Sequence, residues 1–305
     1  MSENSKELIL YWAPEAFATE LATEIKNAGL PVILNEGPFF LAEGAFLPMA
    51  WSESTWRNCR RVSYESISKA AKFLEGLAPF WTERSFSHHR RASLVLEQLR
   101  ELRNNEIDFP APLPEKKFGA FSLLSEKELL YSVDIWPQIP PMGLKFREDQ
   151  TLPSRAYMKL WEALTVHAPN FPRGAKCLEI GASPGGWTAV LRKLDCEVWA
   201  FDRSELAPEL MKDPKVHFAR KDAFSLKASD FPQVEWVFSD VICYPEKLYA
   251  WVTDWIKARP ELKFICTIKF QGPTDFEAVR KFKEISGSTT LHLHANKHEL
   301  TWIRV

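Results

Sequence analysis

Hydrophobic positions alternate regularly between strand-like and helix-like patterns in the C-terminal half of the chain. The predicted strands are 176–180, 196–201, 215–219, 234–239, 262–268, 288–294 and 299–304. The predicted helices are 154–167, 186–194, 204–211, 245–258 and 274–285. Such alternation indicates an α/β fold with a parallel sheet covered on both faces. The link between the last two strands is short, so we expect one of them to be antiparallel.

The N-terminal half has a less regular pattern. It contains a predicted strand at 8–12, a helix at 14–28, helices at 65–77 and 91–103, and strand-like runs within 119–135. A proline-rich passage then separates the two halves. We therefore divide the chain into a small α+β unit, a second N-terminal region, a linker and an α/β domain, at 1–52, 53–140, 141–153 and 154–305.

Composition and charge narrow the class of protein. The formal net charge is −1, but residues 1–50 hold 2 Lys/Arg against 7 Asp/Glu, whereas 51–103 hold 10 against 6. A basic middle segment is compatible with nucleic-acid binding. Five cysteines without a CxxC motif favour a reducing compartment and disfavour zinc. No signal peptide or membrane-length apolar run is present, so we expect a cytoplasmic protein without a membrane partner.

A glycine-rich turn, GASPGG, follows the first strand of the α/β domain and opens a helix. Asp202 ends the next strand, where doubly wound nucleotide sites present a carboxylate to ribose hydroxyls. Asp222 and Asp240 end the two strands after that. The dinucleotide motif GxGxxG is absent because Ser183 replaces its second glycine, and the P-loop motif is absent too. This layout indicates a pocket for S-adenosylmethionine (SAM).

Four separated motifs of this half resemble those of the FtsJ-like ribose 2′-O-methyltransferases. They are SRAYMKLWEAL at 154–164, GASPGGWT at 181–188, IKF at 268–270 and HELTWIRV at 298–305. The likeness is greatest to the RlmM type, which methylates a cytidine of 23S rRNA. It implies a Rossmann-like methyltransferase domain, and the N-terminal half resembles, more weakly, that family's ferredoxin-like unit and a shortened THUMP-like RNA-binding region.

The resemblance also implies the site residues. The family's catalytic Lys-Asp-Lys-Glu tetrad falls on Lys159, Asp240, Lys269 and Glu299. Its SAM contacts fall on Ser154, Ser183, Pro184, Gly185, Gly186, Asp202, Asp222 and Asp240. Gly181, which opens that turn, and Trp187, which follows it, are further candidates for cofactor binding. The family assigns Lys269 as the general base, which must be neutral to accept the hydroxyl proton. Lys159 would position the hydroxyl, and the two acids would orient the lysines.

Several alternatives stay open at the level of sequence. The acceptor could be tRNA, an mRNA cap or a small molecule, and a non-catalytic RNA-binding or ribosome assembly factor could keep the same fold. His292, His294 and His298 could form a zinc site, but their spacing on a strand and the lack of a nearby cysteine argue against it. We expect SAM as the cofactor, RNA as the partner, no metal, and a monomer.

Overall fold

The computed structural model describes residues 7–113, 116–140 and 143–305 and falls into two compact units. The first unit comprises Met1–Ile107 and Leu113–Lys145, and the second comprises Asp108–Pro112 and Phe146–Val305. The predicted boundary at 52, the linker at 141–153 and the THUMP-like assignment stay predictions. Residues 1–6, 114, 115, 141 and 142 lie outside the described residues.

The first unit contains two sheets and three α-helices among its described residues. The elements are β1 (Leu8–Trp12), α1 (Ala18–Asn27), β2 (Val32–Glu36), β3 (Phe39–Glu43), β4 (Ser54–Arg57), β5 (Arg60–Ser63), α2 (Ile67–Glu75), β6 (Phe80–Glu83), α3 (His89–Leu96), β7 (Phe118–Leu123), β8 (Glu128–Ser132) and β9 (Asp134–Trp136). A five-stranded sheet has the order β2-β3-β1-β4-β9, and a four-stranded sheet has the order β5-β8-β7-β6.

Helix α1 carries a buried carboxylate that is hydrogen-bonded to backbone N–H groups. Leu21 and Ile25 on its apolar face are buried, as the helical pattern predicts. Glu24 on the same face is buried as well, and its two carboxylate oxygens accept hydrogen bonds from the backbone N–H groups of Ala50 (2.8 Å) and Trp51 (3.0 Å). A buried carboxylate is tolerated only with such partners, so Glu24 fixes the loop after β3 against the helix.

The predicted helix 91–103 is wrong in its second half. Helix α3 ends at Leu96, and the chain then turns to run beside β6. The N–H of Trp81 donates to the carbonyl of Arg100 at 2.9 Å, and the N–H of Leu102 donates to the carbonyl of Trp81 at 2.8 Å. Backbone pairing with a strand thus replaces helical hydrogen bonds over a segment whose apolar spacing fits a helix.

The second unit has the α/β architecture. Its elements are α4 (Tyr157–Glu162), which continues as a π-helical turn (Ala163–His167), then β10 (Lys176–Ile180), α5 (Gly186–Lys193), β11 (Glu197–Asp202), α6 (Pro208–Met211), β12 (Val216–Arg220), β13 (Trp236–Ser239), α7 (Pro245–Ala258), β14 (Lys263–Lys269), α8 (Phe276–Lys283), β15 (Ser288–Leu291) and β16 (Glu299–Arg304). Short 3-10 turns occur at Ala223–Ser225 and Ala228–Asp230.

The predicted seven-stranded, mostly parallel sheet is confirmed. The strand order is β12-β11-β10-β13-β14-β16-β15. The first five of these strands are parallel, and β16 is antiparallel to both β14 and β15. The central strands β10, β13 and β14 are buried along almost their whole length, which explains their nearly continuous apolar sequence.

All five cysteines are free and buried. Among the residues that the structure describes, no helix is both long and apolar enough to cross a membrane.

Gly119 of β7 offers a test of packing in the first unit. A Cβ atom built there would lie 2.5 Å from the fully buried ring of Trp81. We expect Gly119→Ala to lower the free energy of unfolding by about 1–3 kcal/mol, because overpacking a closed core displaces the ring. Chemical denaturation followed by tryptophan fluorescence measures this. The matched control is Gly76→Ala, where φ is −69° and the nearest neighbours lie at ordinary contact distances; an equal loss in both variants would contradict the explanation.

Candidate active site

The carboxyl ends of the parallel strands meet at one edge of the sheet, where α/β folds bind their ligands. Gly181 follows β10, Asp202 ends β11, Asp222 follows β12, Asp240 follows β13 and Lys269 ends β14. These five residues line one cavity of about 570 Å³. Its size lies within the range of small-molecule sites.

The glycine-rich turn is shaped by its own protein neighbours. Gly181 has φ +70°, and a Cβ atom there would lie 2.5 Å from the Cα of Val241. A Cβ atom on Gly186 would lie 2.3 Å from the Oγ of Ser154. These glycines therefore let the turn pack closely against the loop after β13 and against the segment before α4.

Asp202 organises the turn through backbone hydrogen bonds. Its carboxylate accepts from the N–H of Ser183 at 3.0 Å and from the N–H of Ser204 at 2.9 Å. The Ser183 hydroxyl donates to the carbonyl of Glu205 at 2.9 Å. The carboxylate of Asp222 accepts from the N–H of Phe224 at 3.2 Å. Both acids are therefore held in place at the cavity.

The four predicted catalytic side chains come together although they are far apart in sequence. The Nζ of Lys159 donates to Asp240 Oδ1 at 2.7 Å and to Glu299 Oε1 at 2.9 Å. The Nζ of Lys269 donates to the backbone carbonyl of Asp240 at 2.6 Å and lies 3.2 Å from Asp240 Oδ1. Asp240 thus contacts both lysines.

Four different parts of the chain deliver these groups. Lys159 comes from α4, Asp240 from the loop after β13, and Lys269 and Glu299 face each other across the antiparallel pair β14–β16. The register of that pair therefore sets the position of one acid relative to one lysine.

The two lysines have different environments. The Lys159 side chain is 8% exposed and the Lys269 side chain 19%. Burial alone would lower the pKa of Lys159, but the carboxylates of Asp240 and Glu299 outweigh it and raise that pKa above the ordinary lysine value. Lys159 is therefore held as a cation, whereas Lys269 lines the cavity and is open to a ligand.

Most of the predicted cofactor-binding residues line the cavity. They are Ser154, Gly181, Ser183, Pro184, Asp202, Asp222 and Asp240. Gly185, Gly186 and Trp187 are not among the described residues that line it. Trp187 is 2% exposed, and its indole N–H donates to the carbonyl of Ala156 at 2.8 Å. It lies behind the site, with its ring 6.0 Å from the Nζ of Lys159.

Sequence reasoning missed several lining residues. They are Ala156, Phe201, Arg203, Lys221, Ala223, Phe224, Val241, Ile242, Cys243, Tyr244, Lys247 and Gln271. Their place in the sequence could have indicated them, because most of them come directly after one of the predicted acids Asp202, Asp222 and Asp240. The apolar run after Asp240, which extends past the end of β13, was a further signal.

The histidines of the zinc alternative have other partners. The ring of His292 hydrogen-bonds with the carbonyl of Lys297 at 3.0 Å, and the ring of His298 with the Thr274 hydroxyl at 3.0 Å. The backbone N–H of His294 donates to Glu162 at 3.1 Å. Within the described residues, no three His, Cys, Asp or Glu side chains are arranged to hold a metal ion.

Comparison with known families adds an independent result. Residues 152–281 match the model of the FtsJ-like methyltransferases. The predicted resemblance to the FtsJ-like methyltransferases is confirmed. The matched FtsJ-like region contains the glycine-rich turn, Lys159, Asp240 and Lys269, and ends before Glu299.

Curated relatives extend the same likeness. The chain is similar to proteins named ribosomal RNA large subunit methyltransferase M. One from Halorhodospira halophila is 32% identical over 52% of this chain and 47% of the relative. One from Aeromonas hydrophila is 31% identical over 55% of this chain and 48% of the relative. The chain thus spans about half the length of these curated relatives.

Likeness to solved structures is weaker. A putative ribosomal RNA methyltransferase from Plasmodium falciparum covers 50% of this chain and 96% of its own length, at 17% identity and a TM-score of 0.37. We draw no conclusion from it.

Glu179 is an ionisable group buried beneath the site. It lies in β10 with 1% of its surface exposed, and the Thr188 hydroxyl donates to it at 2.6 Å. Burial raises its pKa to about 8 against the opposing effect of the Thr188 bond, and the Asp240 carboxylate adds to the rise. The folded state therefore keeps Glu179 protonated at pH values where an unfolded chain ionises it.

This difference makes stability depend on pH. Between the ordinary glutamate pKa of about 4.5 and about 8, the folded state binds more protons than the unfolded state. Glu179 therefore lowers the free energy of unfolding as pH rises, by up to about 1.4 kcal/mol per pH unit. We expect Glu179→Gln to remove this slope in urea titrations between pH 5 and 8. The exposed Glu209→Gln serves as control; identical pH profiles for wild type and Glu179→Gln would contradict the assignment.

Proposed function

We propose that this protein transfers the methyl group of SAM to a ribose 2′-hydroxyl of RNA. The observation that carries this proposal is the cluster of two lysines and two acids, of which Asp240 and Lys269 line the cavity beside the glycine-rich turn. The match to the FtsJ-like methyltransferases and the relatives named ribosomal RNA large subunit methyltransferase M support rRNA as the substrate. A cytidine of 23S rRNA is the specific acceptor that we propose.

The cavity lining offers hydrogen-bond acceptors for the hydroxyl and amino groups of SAM. Asp202 presents a carboxylate to the region that binds ribose hydroxyls in this fold class, and Asp222 could accept a hydrogen bond from an adenine amino group. Ser154, Gly181, Ser183 and Pro184 form the adjoining wall. Gly185 and Gly186 hold the turn that carries them, and Trp187 supports it from behind. When bound here, SAM would supply an electrophilic methyl group on a sulfonium ion.

The residues of the cluster would divide the work of proton transfer. Protonated Lys159 would stabilise the negative charge that develops on the attacking oxygen. Lys269, which lines the cavity, would accept the hydroxyl proton. Asp240 and Glu299 would keep Lys159 charged and hold both lysines at fixed distances. The ribose oxygen would form its new bond to the methyl carbon while the sulfur–methyl bond breaks and S-adenosylhomocysteine leaves. Alignment of the two reactants would supply much of the acceleration.

The N-terminal half and the cellular setting are part of the proposal as well. We propose that residues 53–140 form a shortened THUMP-like region that contacts RNA, and that residues 1–52 form a ferredoxin-like unit. We also propose that the protein acts as a cytoplasmic monomer without a metal ion.

Lys269→Ala tests the chemistry directly. We expect it to lower methyl transfer to rRNA by at least about 100-fold, the range of general acid–base catalysis, while the Kd for SAM stays within about threefold. Transfer of tritiated methyl and isothermal titration measure the two quantities. The control is Lys257→Ala, an exposed lysine near the end of α7. Full activity of Lys269→Ala would disprove its role as base.

The substrate is tested in cells that lack the gene for this protein. We expect the ribose-methylation map of their rRNA to lose one 2′-O-methyl group, at a cytidine of 23S rRNA, and to regain it with the wild-type gene but not with Lys269→Ala. An unchanged rRNA map would favour a tRNA, cap or small-molecule acceptor if the purified protein transfers methyl groups, and a non-catalytic RNA-binding role if it does not.

A further inference from the structure

The loop between β13 and α7 exposes two large apolar side chains at the cavity. Ile242 is 76% exposed and Tyr244 is 67% exposed, the highest values for large hydrophobic side chains in the described part of the chain. Both line the same cavity as Asp240 and Lys269. Apolar groups left open to solvent beside a polar site mark a surface for a partner.

The loop is firmly anchored despite this exposure. Val241 lies against Gly181, where no Cβ atom would fit. Cys243 is 8% exposed, and Pro245 is buried in the first turn of α7. Buried and exposed residues thus alternate, so the anchors hold Ile242 and Tyr244 outward.

Three basic side chains line the same cavity as this pair. Arg203, Lys221 and Lys247 are exposed and line the cavity. Arg203 and Lys221 form no ion pair with any residue that the structure describes, and the Nζ of Lys247 lies 4.1 Å from the centre of the Phe224 ring. Asp202 and Asp222 accept backbone hydrogen bonds, and Asp240 contacts both lysines of the catalytic cluster.

We propose that Tyr244 and Ile242 form a platform on which the base of the acceptor nucleotide stacks. An aromatic ring beside basic side chains is the common design for single-stranded nucleic acid, because every base has a π-face and every phosphate a charge. The platform directly follows Asp240, which holds Lys269, so a base on it would place its own ribose near the lysine. Two side chains are too few for a protein interface but match the area of one base. This inference rests on the proposed function, since it assumes an RNA acceptor.

The test uses the full chain saturated with S-adenosylhomocysteine. The probes are fluorescein-labelled octacytidylate and a ribose-phosphate octamer of the same length without bases, measured by fluorescence anisotropy at low salt. We expect Tyr244→Ala to weaken octacytidylate binding about tenfold and to leave binding of the octamer without bases within about twofold. Tyr244→Phe keeps the ring and should bind like wild type. Met211→Ala, an exposed apolar residue outside the lining of the cavity, is the matched control.

Three other outcomes would each contradict the stacking of a base on Tyr244 and Ile242. Equal losses for both probes would mean that Tyr244 acts through the backbone or the fold. Weaker binding of S-adenosylhomocysteine with unchanged octacytidylate binding would make the loop a cover for the cofactor. Octacytidylate binding by wild type that is no tighter than binding of the octamer without bases would exclude stacking altogether.

Methyl transfer by the same preparations separates this inference from the proposed function. If Tyr244→Ala transfers methyl groups to rRNA at the wild-type rate and with the wild-type KM, the proposed function stands and the platform is disproved. Base-dependent binding that requires Tyr244, without any methyl transfer by wild type, would remove the proposed function and leave the platform.

Discussion

The second unit depends on one buried cation, Lys159, held between Asp240 and Glu299. Removing an ammonium group from water is costly unless charge and hydrogen bonds compensate for it. Two carboxylates provide that compensation at 2.7 and 2.9 Å. The interaction joins α4, the loop after β13 and the start of β16 at one point. Lys159 donates to both carboxylates, whereas Lys269 lines the cavity.

This arrangement explains why two lysines of the same type can be given different roles. The pKa of Lys159 is raised by its two carboxylate partners despite burial, so it keeps its charge. Lys269 lies close to one carboxylate and one carbonyl and opens to the cavity. Under the proposed function, Lys159 would stabilise the developing charge and Lys269 would accept the proton.

Sequence alone predicted the sheet and the residues at its edge, but not how they are supported. The positions of Asp202, Asp222 and Asp240 follow from strand ends, because parallel strands end at a common edge. The contacts of Gly181 with Val241 and of Gly186 with Ser154 could not be predicted, since they join segments remote in sequence. The end of α3 at Leu96 could not be predicted either, because pairing of residues 100–102 with β6 overrides a helical pattern. Trp187 was expected near the cofactor from its place after the turn, yet helix α5 directs it behind the site.

The position of β16 between β14 and β15 has a consequence for how the site forms. Strands β10 to β14 can assemble in chain order, each beside an earlier neighbour. The final strand pairs with β14 on one side and with β15 on the other, and it brings Glu299 to a lysine that is 140 residues away. A chain in which the parallel strands have already associated would still lack half of the counter-charge of Lys159. The same strand, β16, therefore completes both the sheet and the charge cluster.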